Sequence, residues 1–382
     1  MKEILEEPQK ELYIKQQEKR TEYERQLREQ VLQPVLGERF CLRNIYVSLH
    51  GKRGKRNTPQ KEKKVIVDIT SYIWEWFQRQ DSSLLFLYGE PGSGKSSIVK
   101  MAAATIAAAV EMEGMVIFID LHRLFFSDKE TALKVVEAYI QHNLPWFLDE
   151  ECCGKRLLIL DGLDEIKYKV YENAMELVWE LENLDWGFPV KVIVSGRTQI
   201  VLKTIEEIRC EELEILPLYL DDDDLQKHGS GTDDPDGLLG EDLRQGYWNV
   251  LMKYFQTEQE MPLLNSRFDE LSKSPLLLFL VVWTIKHAGI QFSELKNATE
   301  LYENIFRYIY TREYNRVSSD IYFKSGEYLE YQQMLRYLGG CAYRNNSRSI
   351  SISAIYEYCE KMGQEDLCRR WIQKHKEDNP SK

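Results

Sequence analysis

Residues 84–97 read LLFLYGEPGSGKSS, and no other stretch restricts the fold of this chain as much. A β-prone apolar run stops at Gly89 and opens into Gly89-Glu90-Pro91-Gly92-Ser93-Gly94-Lys95-Ser96. This is the G-x-x-x-x-G-K-[ST] spacing of a phosphate-binding loop, set between a strand and a helix. Gly92 and Gly94 permit positive φ and carry no side chain, so successive N–H groups can converge on a polyphosphate. The alanine-rich residues 96–110 predict a helix whose positive dipole end faces that anion. Lys95 is expected to place a cation on the β- and γ-phosphates, and the Ser96 hydroxyl to ligate Mg²⁺. With Ser97 these residues are the candidate nucleotide contacts. A bare glycine turn would not require the strand, the lysine, the hydroxyl and the helix together.

The stretches on either side repeat the pattern. Residues 114–121 (GMVIFIDL), 156–160 (RLLIL), 190–194 (VKVIV) and 213–218 (LEILPL) are short apolar runs. They alternate with helical periodicity over 128–141 and 170–184. Strands alternating with helices imply a parallel sheet, right-handed crossovers and a ligand site at the strand C-termini. Polar motifs fall at those ends. Asp161 follows LLIL in the manner of a Walker B aspartate that holds Mg²⁺ through its water shell. Of the two acids one turn later, Glu165 is the expected base for the attacking water, with Asp164 second. Arg197 ends the next strand, where a guanidinium can sense or neutralise the γ-phosphate.

The remaining segments are less specific. Residues 1–36, rich in Glu, Lys, Arg and Gln, predict a mostly exposed helix ending near Pro34. Residues 40–49 predict a short strand. The basic run 51–64 (GKRGKRNTPQKEKK) allows a nucleic-acid contact but reads rather as a solvated flexible loop, since no aromatic residue is interleaved for base stacking. Residues 65–77 predict an amphipathic helix, with Asp68 or Thr70 as cap and Ile69, Tyr72, Ile73, Trp76 and Phe77 on one face. Residues 221–242 (DDDDLQKHGSGTDDPDGLLGED) read as an acidic surface loop. They lack the alternating ligands and closing Glu of a calcium loop. Helical segments are expected near 244–256, 265–288 and 295–312. Residues 328–375 are expected to be mostly helical, with a brief alternating stretch at 349–352.

Together, LYGEPGSGKSS, LLILDGLDE and VKVIVSGRT resemble the NACHT branch of the STAND signalling ATPases, and DGLDE is the most specific piece. Residues 274–278 (SPLLL) and 298–303 (ATELYE) are similar to two later motifs of that family. The resemblance spans roughly residues 40–315. It implies that Pro275 packs near the adenine of bound ATP or ADP. It also implies an α/β P-loop NTPase with a parallel sheet and helices on both faces, then an α-helical lid, then a mostly helical, winged-helix-like part. On that basis the expected domains are a linker at 1–64, the nucleotide-binding domain at 65–218, a lid at 219–312 and the last part at 313–382. The implied activity is a slow ATPase switch that self-associates in its ATP state, in innate immunity or anti-phage defence. The winged-helix histidine of the family has no clear counterpart, because His375, the only one in the tail, lies among polar residues. No C-terminal repeats and no effector domain are recognisable, which reads as an excised core or a naturally short member. The alternative is a motor ATPase of AAA+ type that remodels protein or nucleic acid; a small-molecule kinase is disfavoured, since no acceptor-site motif appears.

Composition sets outer limits. A net charge of −12 argues against binding nucleic acid or anionic membrane through the whole surface, so nucleic acid is not an expected partner. The seven cysteines show no zinc spacing, and the charged N-terminus shows no signal-peptide pattern, which together read as a cytoplasmic protein with reduced thiols. The longest apolar run, 275–283, is too short to span a bilayer. Sensor and effector partners, and ATP against GTP, stay open.

Overall fold

The computed structural model describes residues 7–57, 62–110, 114–127, 129–149, 154–166, 170–183, 186–257, 261, 269–288, 298–310, 328–344 and 350–378. Two units divide the chain: Met1–Met261 with Asp269–Phe279, and Pro262–Phe268 with Leu280–Lys382.

Among its described residues the first unit holds eight strands: β1 (His50–Arg56), β2 (Lys64–Asp68), β3 (Leu84–Gly89), β4 (Gly114–Asp120), β5 (Lys155–Asp161), β6 (Val190–Arg197), β7 (Cys210–Ile215) and β8 (Thr232–Asp233). They form one sheet in the order β4-β5-β6-β3-β7-β1-β2-β8. The run from β4 to β7 is parallel, β1 is antiparallel to both neighbours, and β8 is parallel to β2. Its helices are α1 (Glu7–Gln30), α2 (Leu42–Ile45), α3 (Ile69–Gln78), α4 (Lys95–Val110), α5 (Ala132–Asn143), α6 (Val170–Glu182), α7 (Thr198–Thr204), α8 (Asp222–Gly229), α9 (Arg244–Phe255), α10 (Asp269–Lys273) and the first turn of α11 (Pro275–Ala288).

Every residue of β3 is buried, as a central parallel strand covered on both faces requires. Leu84, Phe86 and Tyr88 join one core cluster with Val136 and Ile140 of α5, Leu177 and Val178 of α6, and Val201 of α7. Leu85 and Leu87 point to the opposite face, where α4 packs. The α/β fold with a parallel sheet and helices on both faces is therefore as the alternation of strands and helices predicted. Because the parallel strands end in register, Asp120 pairs with Asp161 and Gly89 with Arg197. That register brings distant polar residues to one edge.

Several local expectations are corrected. The basic run is not a loop, because its first part is β1, paired with the acidic β7. Lys52 meets Glu214 at 3.4 Å and Arg56 meets Glu212 at 2.6 Å, with Lys64 of β2 also 2.6 Å from Glu212. Cross-strand charge matching stabilises a strand that local periodicity does not announce. Residues 58–61 lie outside the described residues. Residues 40–49 contain the single turn α2 rather than a strand, with the Asn44 side chain accepting from the Cys41 N–H at 3.0 Å. The expected helix at 65–77 begins as β2 and turns helical only at Ile69, where the Asp68 carboxylate accepts from Ser71 N–H at 2.8 Å.

Of the segment 1–36, the described residues 7–36 are more firmly docked than an exposed helix would be. Arg20 donates to the Gly114 carbonyl, and the Tyr23 hydroxyl both donates to and accepts from the Phe118 backbone at 3.0 Å. The acidic stretch 221–242 is also ordered. Asp221 caps α8, three aspartates fill its first turn, where the helix dipole favours them, and Lys273 bridges Asp221 and Asp224 at 2.6 and 2.8 Å. Thr232 and Asp233 then extend the sheet beside β2.

The second unit is helical among its described residues: the rest of α11, then α12 (Ala298–Ile309), α13 (Tyr328–Arg344), α14 (Ile352–Lys361) and α15 (Glu365–Asp378). Tyr331, Met334, Cys341, Cys359 and Cys368 form its core. Ser351, read from sequence as part of an alternating stretch, instead caps α14, accepting from Ala354 N–H at 3.2 Å. Residues 345–349, and the parts of the expected helical segments at 265–268, 295–297 and 311–312, lie outside the described residues. No described helix is long and apolar enough to cross a membrane.

Candidate functional site

A cleft of about 620 Å³ opens at the C-terminal edge of the parallel strands, between β3, β5, β6 and the start of α11. Its floor is the loop from β3 to α4. Gly92 and Gly94 hold φ of +82° and +93°, which any side chain would strain. The loop closes on itself where Ser93 N–H donates to the Glu90 carbonyl at 3.1 Å. Lys95 folds back over it, its ammonium donating to the carbonyls of Gly89 at 2.8 Å and Glu90 at 3.0 Å. Burial pulls that ammonium below its ordinary pKa, opposed by Asp164 and reinforced by Arg197. The Ser93 Oγ is buried without a hydrogen-bond partner among the described residues, and a Cβ on Gly89 would come within 2.8 Å of it. An orphan hydroxyl inside a left-handed glycine loop at a helix N-terminus fits a polyphosphate.

The acidic side follows from strand register. Asp161, at the end of β5, accepts from the Ser195 hydroxyl of β6. Gly162 turns the chain with φ of +88°, and its N–H donates to the same Ser195 Oγ at 3.2 Å. The chain then makes a short turn, Leu163–Glu165. Asp164 is directed at β6, pairing with the Arg197 guanidinium at 2.5 Å and accepting from the Arg197 N–H at 3.0 Å. Glu165 is exposed beside the cleft. Burial raises its pKa, as do Asp164, Asp161 and Asp120, with His122 opposing. Asp120 at the end of β4 holds the His122 ring at 2.5 Å, and the two lie within 4.8 Å of Glu165.

Pro91, Gly92, Gly94, Lys95, Ser96 and Ser97 thus line the same cleft as Asp161, Asp164, Glu165, Arg197 and Pro275. Gly89, Glu90 and Ser93 sit behind it as the loop's internal supports. Hard oxygen donors from Ser96 and Asp161 suit Mg²⁺.

Other lining residues went unread in the sequence. Ser195 was legible as the first polar residue after VKVIV. Val35, Leu36, Leu42 and Ile45 form an apolar wall, and Tyr247 of α9 adds an aromatic ring. Nothing local marks these, because only the docking of residues 31–45 and of α9 brings them there.

The family model described as the KAP family P-loop domain matches residues 62–146, which contain the glycine loop and Lys95. The chain carries a P-loop NTPase domain. The matching family is not the NACHT branch that the motifs resemble. Among curated proteins no match is found. Similar solved structures include AMPPCP-bound DnaA from Aquifex aeolicus, at 15% identity, covering 80% of this chain and 87% of that one with a TM-score of 0.34. A Walker-type ATPase of Pyrococcus abyssi matches at 13% identity over 77% and 88%, with a TM-score of 0.37. The Aeropyrum pernix ORC1 protein in complex with DNA matches at 15% over 76% and 75%, with a TM-score of 0.34.

Proposed function

We propose that this chain is an ATP-binding, slowly hydrolysing switch whose nucleotide state is read by the start of α11. The observation that carries this is the seam between that segment and the phosphate loop. Ser274 Oγ donates to the Gly92 carbonyl at 3.1 Å, and Leu276 N–H donates to the same oxygen at 3.3 Å. A nucleotide in the loop lies beside the segment that leads out of the sheet. Lys95 and the loop N–H groups hold the β- and γ-phosphates, and Ser96 and Asp161 hold Mg²⁺, which would supply charge neutralisation of the phosphates. Val35, Leu36 and Ile45, facing Pro275 and Leu276, form the wall for an adenine ring. Glu165, its pKa raised, takes the proton of the attacking water. Arg197, steered by Asp164, distinguishes a γ-phosphate from none, and only such differential contact can shift a conformational equilibrium.

The motif resemblance to signalling ATPases supports the switch class, and self-association in the ATP state is the output we propose. An immune or anti-phage role rests on that resemblance alone and is not part of the proposal. Light scattering of Glu165→Gln with ATP or ADP, paired with small-angle scattering, tests it. The expected result is higher mass or a changed radius of gyration with ATP. Identical values with both nucleotides would exclude a switch, and turnover near 1 s⁻¹ or above would favour a motor ATPase.

A further inference from the structure

The opposite edge of the same sheet carries a second cleft, of about 650 Å³, at the N-terminal ends of β5 and β6. A strand of seven residues separates it from the phosphate loop by about 20 Å. Lys155 and Arg156 open β5, Lys191 is the second residue of β6, and Arg79 follows α3; all four line the cleft, and no carboxylate is among its lining residues. Arg79 is neutralised, since it pairs with Glu211 at 2.8 Å and Asp81 at 3.4 Å. The lysines are not. Lys155 donates to the Gln78 carbonyl at 3.1 Å and to its side-chain Oε1 at 2.8 Å, and Lys191 donates to the Ser82 carbonyl at 2.6 Å. Neither has a carboxylate partner among the described residues.

Each unpaired cation is also held over an aromatic ring. Lys191 Nζ stands 4.3 Å from the Trp76 centroid and Lys155 Nζ 5.7 Å from that of Phe77. The buried Arg156 guanidinium, which donates to the Phe147 carbonyl at 2.7 Å, has its carbon 3.4 Å from the Phe188 centroid and backs that ring. Burial pushes the Lys191 ammonium down to about 8, against the pull of Asp81 and Glu211 and with the push of Arg79 and Lys155. Two ammonium groups without a carboxylate in direct contact among the described residues therefore lie beside Phe188 and Pro189. In a chain of net charge −12 such a site is not a product of overall composition.

We propose that this cleft binds a nucleoside phosphate, with Lys155 and Lys191 on the phosphate and the Phe188 ring against the base. Cations interleaved with aromatic faces supply both halves of that ligand, charge for the phosphate and a π-surface for the ring. The volume lies within the range of small-ligand pockets. The same chemistry arrives either as a free nucleotide or as a unit of a single strand.

The test uses the full chain and two probes, a fluorescein-labelled 12-nucleotide single strand read by anisotropy and AMP read by calorimetry. Binding of either that substitution of Lys155 and Lys191 weakens supports the site, and the tighter of the two names the source. The Lys155→Met/Lys191→Met variant, which keeps both stems on their rings, should lose at least tenfold in affinity. Lys95→Ala should leave strand binding unchanged, which separates this site from the phosphate loop. For the unmodified chain, log K against log salt should fall with a slope of about −1.4 for two phosphate contacts on a single strand. That measurement needs no variant to fold. Absence of binding by both probes at 50 mM salt would overturn the proposal. So would a salt-independent affinity for the strand, full binding by the folded double variant, or equal binding of a poly-glutamate peptide.

Discussion

Ser274 and Gly92, separated by 182 positions, share a hydrogen bond from the serine hydroxyl to the glycine carbonyl. A Cβ added at Gly92 would come within 2.8 Å of that hydroxyl. The phosphate loop and the start of α11 are therefore fitted to each other at the one residue whose φ of +82° already demands glycine.

Gly92→Ala should lower both stability and ATP affinity, with a backbone cost of about 1–3 kcal/mol. Adding Ser274→Ala removes the clash but not the positive φ, so it should restore only part of the loss. Ser274→Ala alone should cost about 1 kcal/mol of stability, the net worth of one hydrogen bond. Urea unfolding and calorimetry with ATP check all three; full rescue by the double variant would show that crowding, not φ, is what fixes glycine here.

Removing the Lys95 ammonium should weaken ATP by about 1.5–3 kcal/mol, the worth of a charge-assisted contact to phosphate. Lys95→Ala should keep the sheet folded, since the lysine packs on loop carbonyls rather than in the core. Equal ATP affinity in the variant and the unmodified chain would remove the phosphate-loop assignment.

The two acids after Asp161 should separate kinetically. Glu165→Gln should lower kcat by about 10²–10⁴ with ATP binding retained, as expected for loss of a general base. Because the Glu165 pKa is raised, the carboxylate is lost as pH falls through a value above the ordinary 4.5. The acid limb of kcat should therefore lie above pH 4.5. Asp164→Asn removes a neighbouring negative charge, so that limb should move to lower pH. It also breaks the pair with Arg197, and a double-mutant cycle on the two should return a coupling of about 0.5–3 kcal/mol. If Asp164→Asn abolishes turnover while Glu165→Gln does not, the roles are reversed.

The charged seam of β1 against β7 should contribute to stability in a pH-dependent way. Glu212 is 2% exposed. Burial alone would raise its pKa, but the bonds from Lys64 and Arg56 outweigh that and hold it below 4.5. A carboxylate with a depressed pKa contributes stability above its unfolded value and loses it as pH falls through the folded one. Glu212→Gln should cost on the order of 1.5–3 kcal/mol at pH 7, because Arg56 and Lys64 still reach water. The gap to the unmodified chain should close below pH 4.5, as read from denaturant midpoints; a constant gap across that range would exclude the ion pairs as its cause.

The glycine loop, its strand and its helix were legible because each is local. A phosphate cradle needs particular residues at fixed spacing, and a doubly covered strand needs an unbroken apolar run, so β3, β4, β5 and β6 announce themselves. The positions of Asp161 and Arg197 at that edge were legible for the same reason, each ending such a run, and Glu165 follows one turn after Asp161. What only tertiary structure decided is whatever depends on a distant partner. GKRGKR becomes a strand because CEELEI, more than 150 residues later, offers glutamates to its lysines and arginines. The aspartate-rich stretch is ordered because Lys273 bridges Asp221 and Asp224. Val35, Leu36 and Tyr247 reach the cleft only through docking, and Lys155, Lys191 and Phe188 meet only where strand order sets β5 beside β6. Periodicity reports which face of an element is buried, but not which other element supplies the opposite charge or the neighbouring wall.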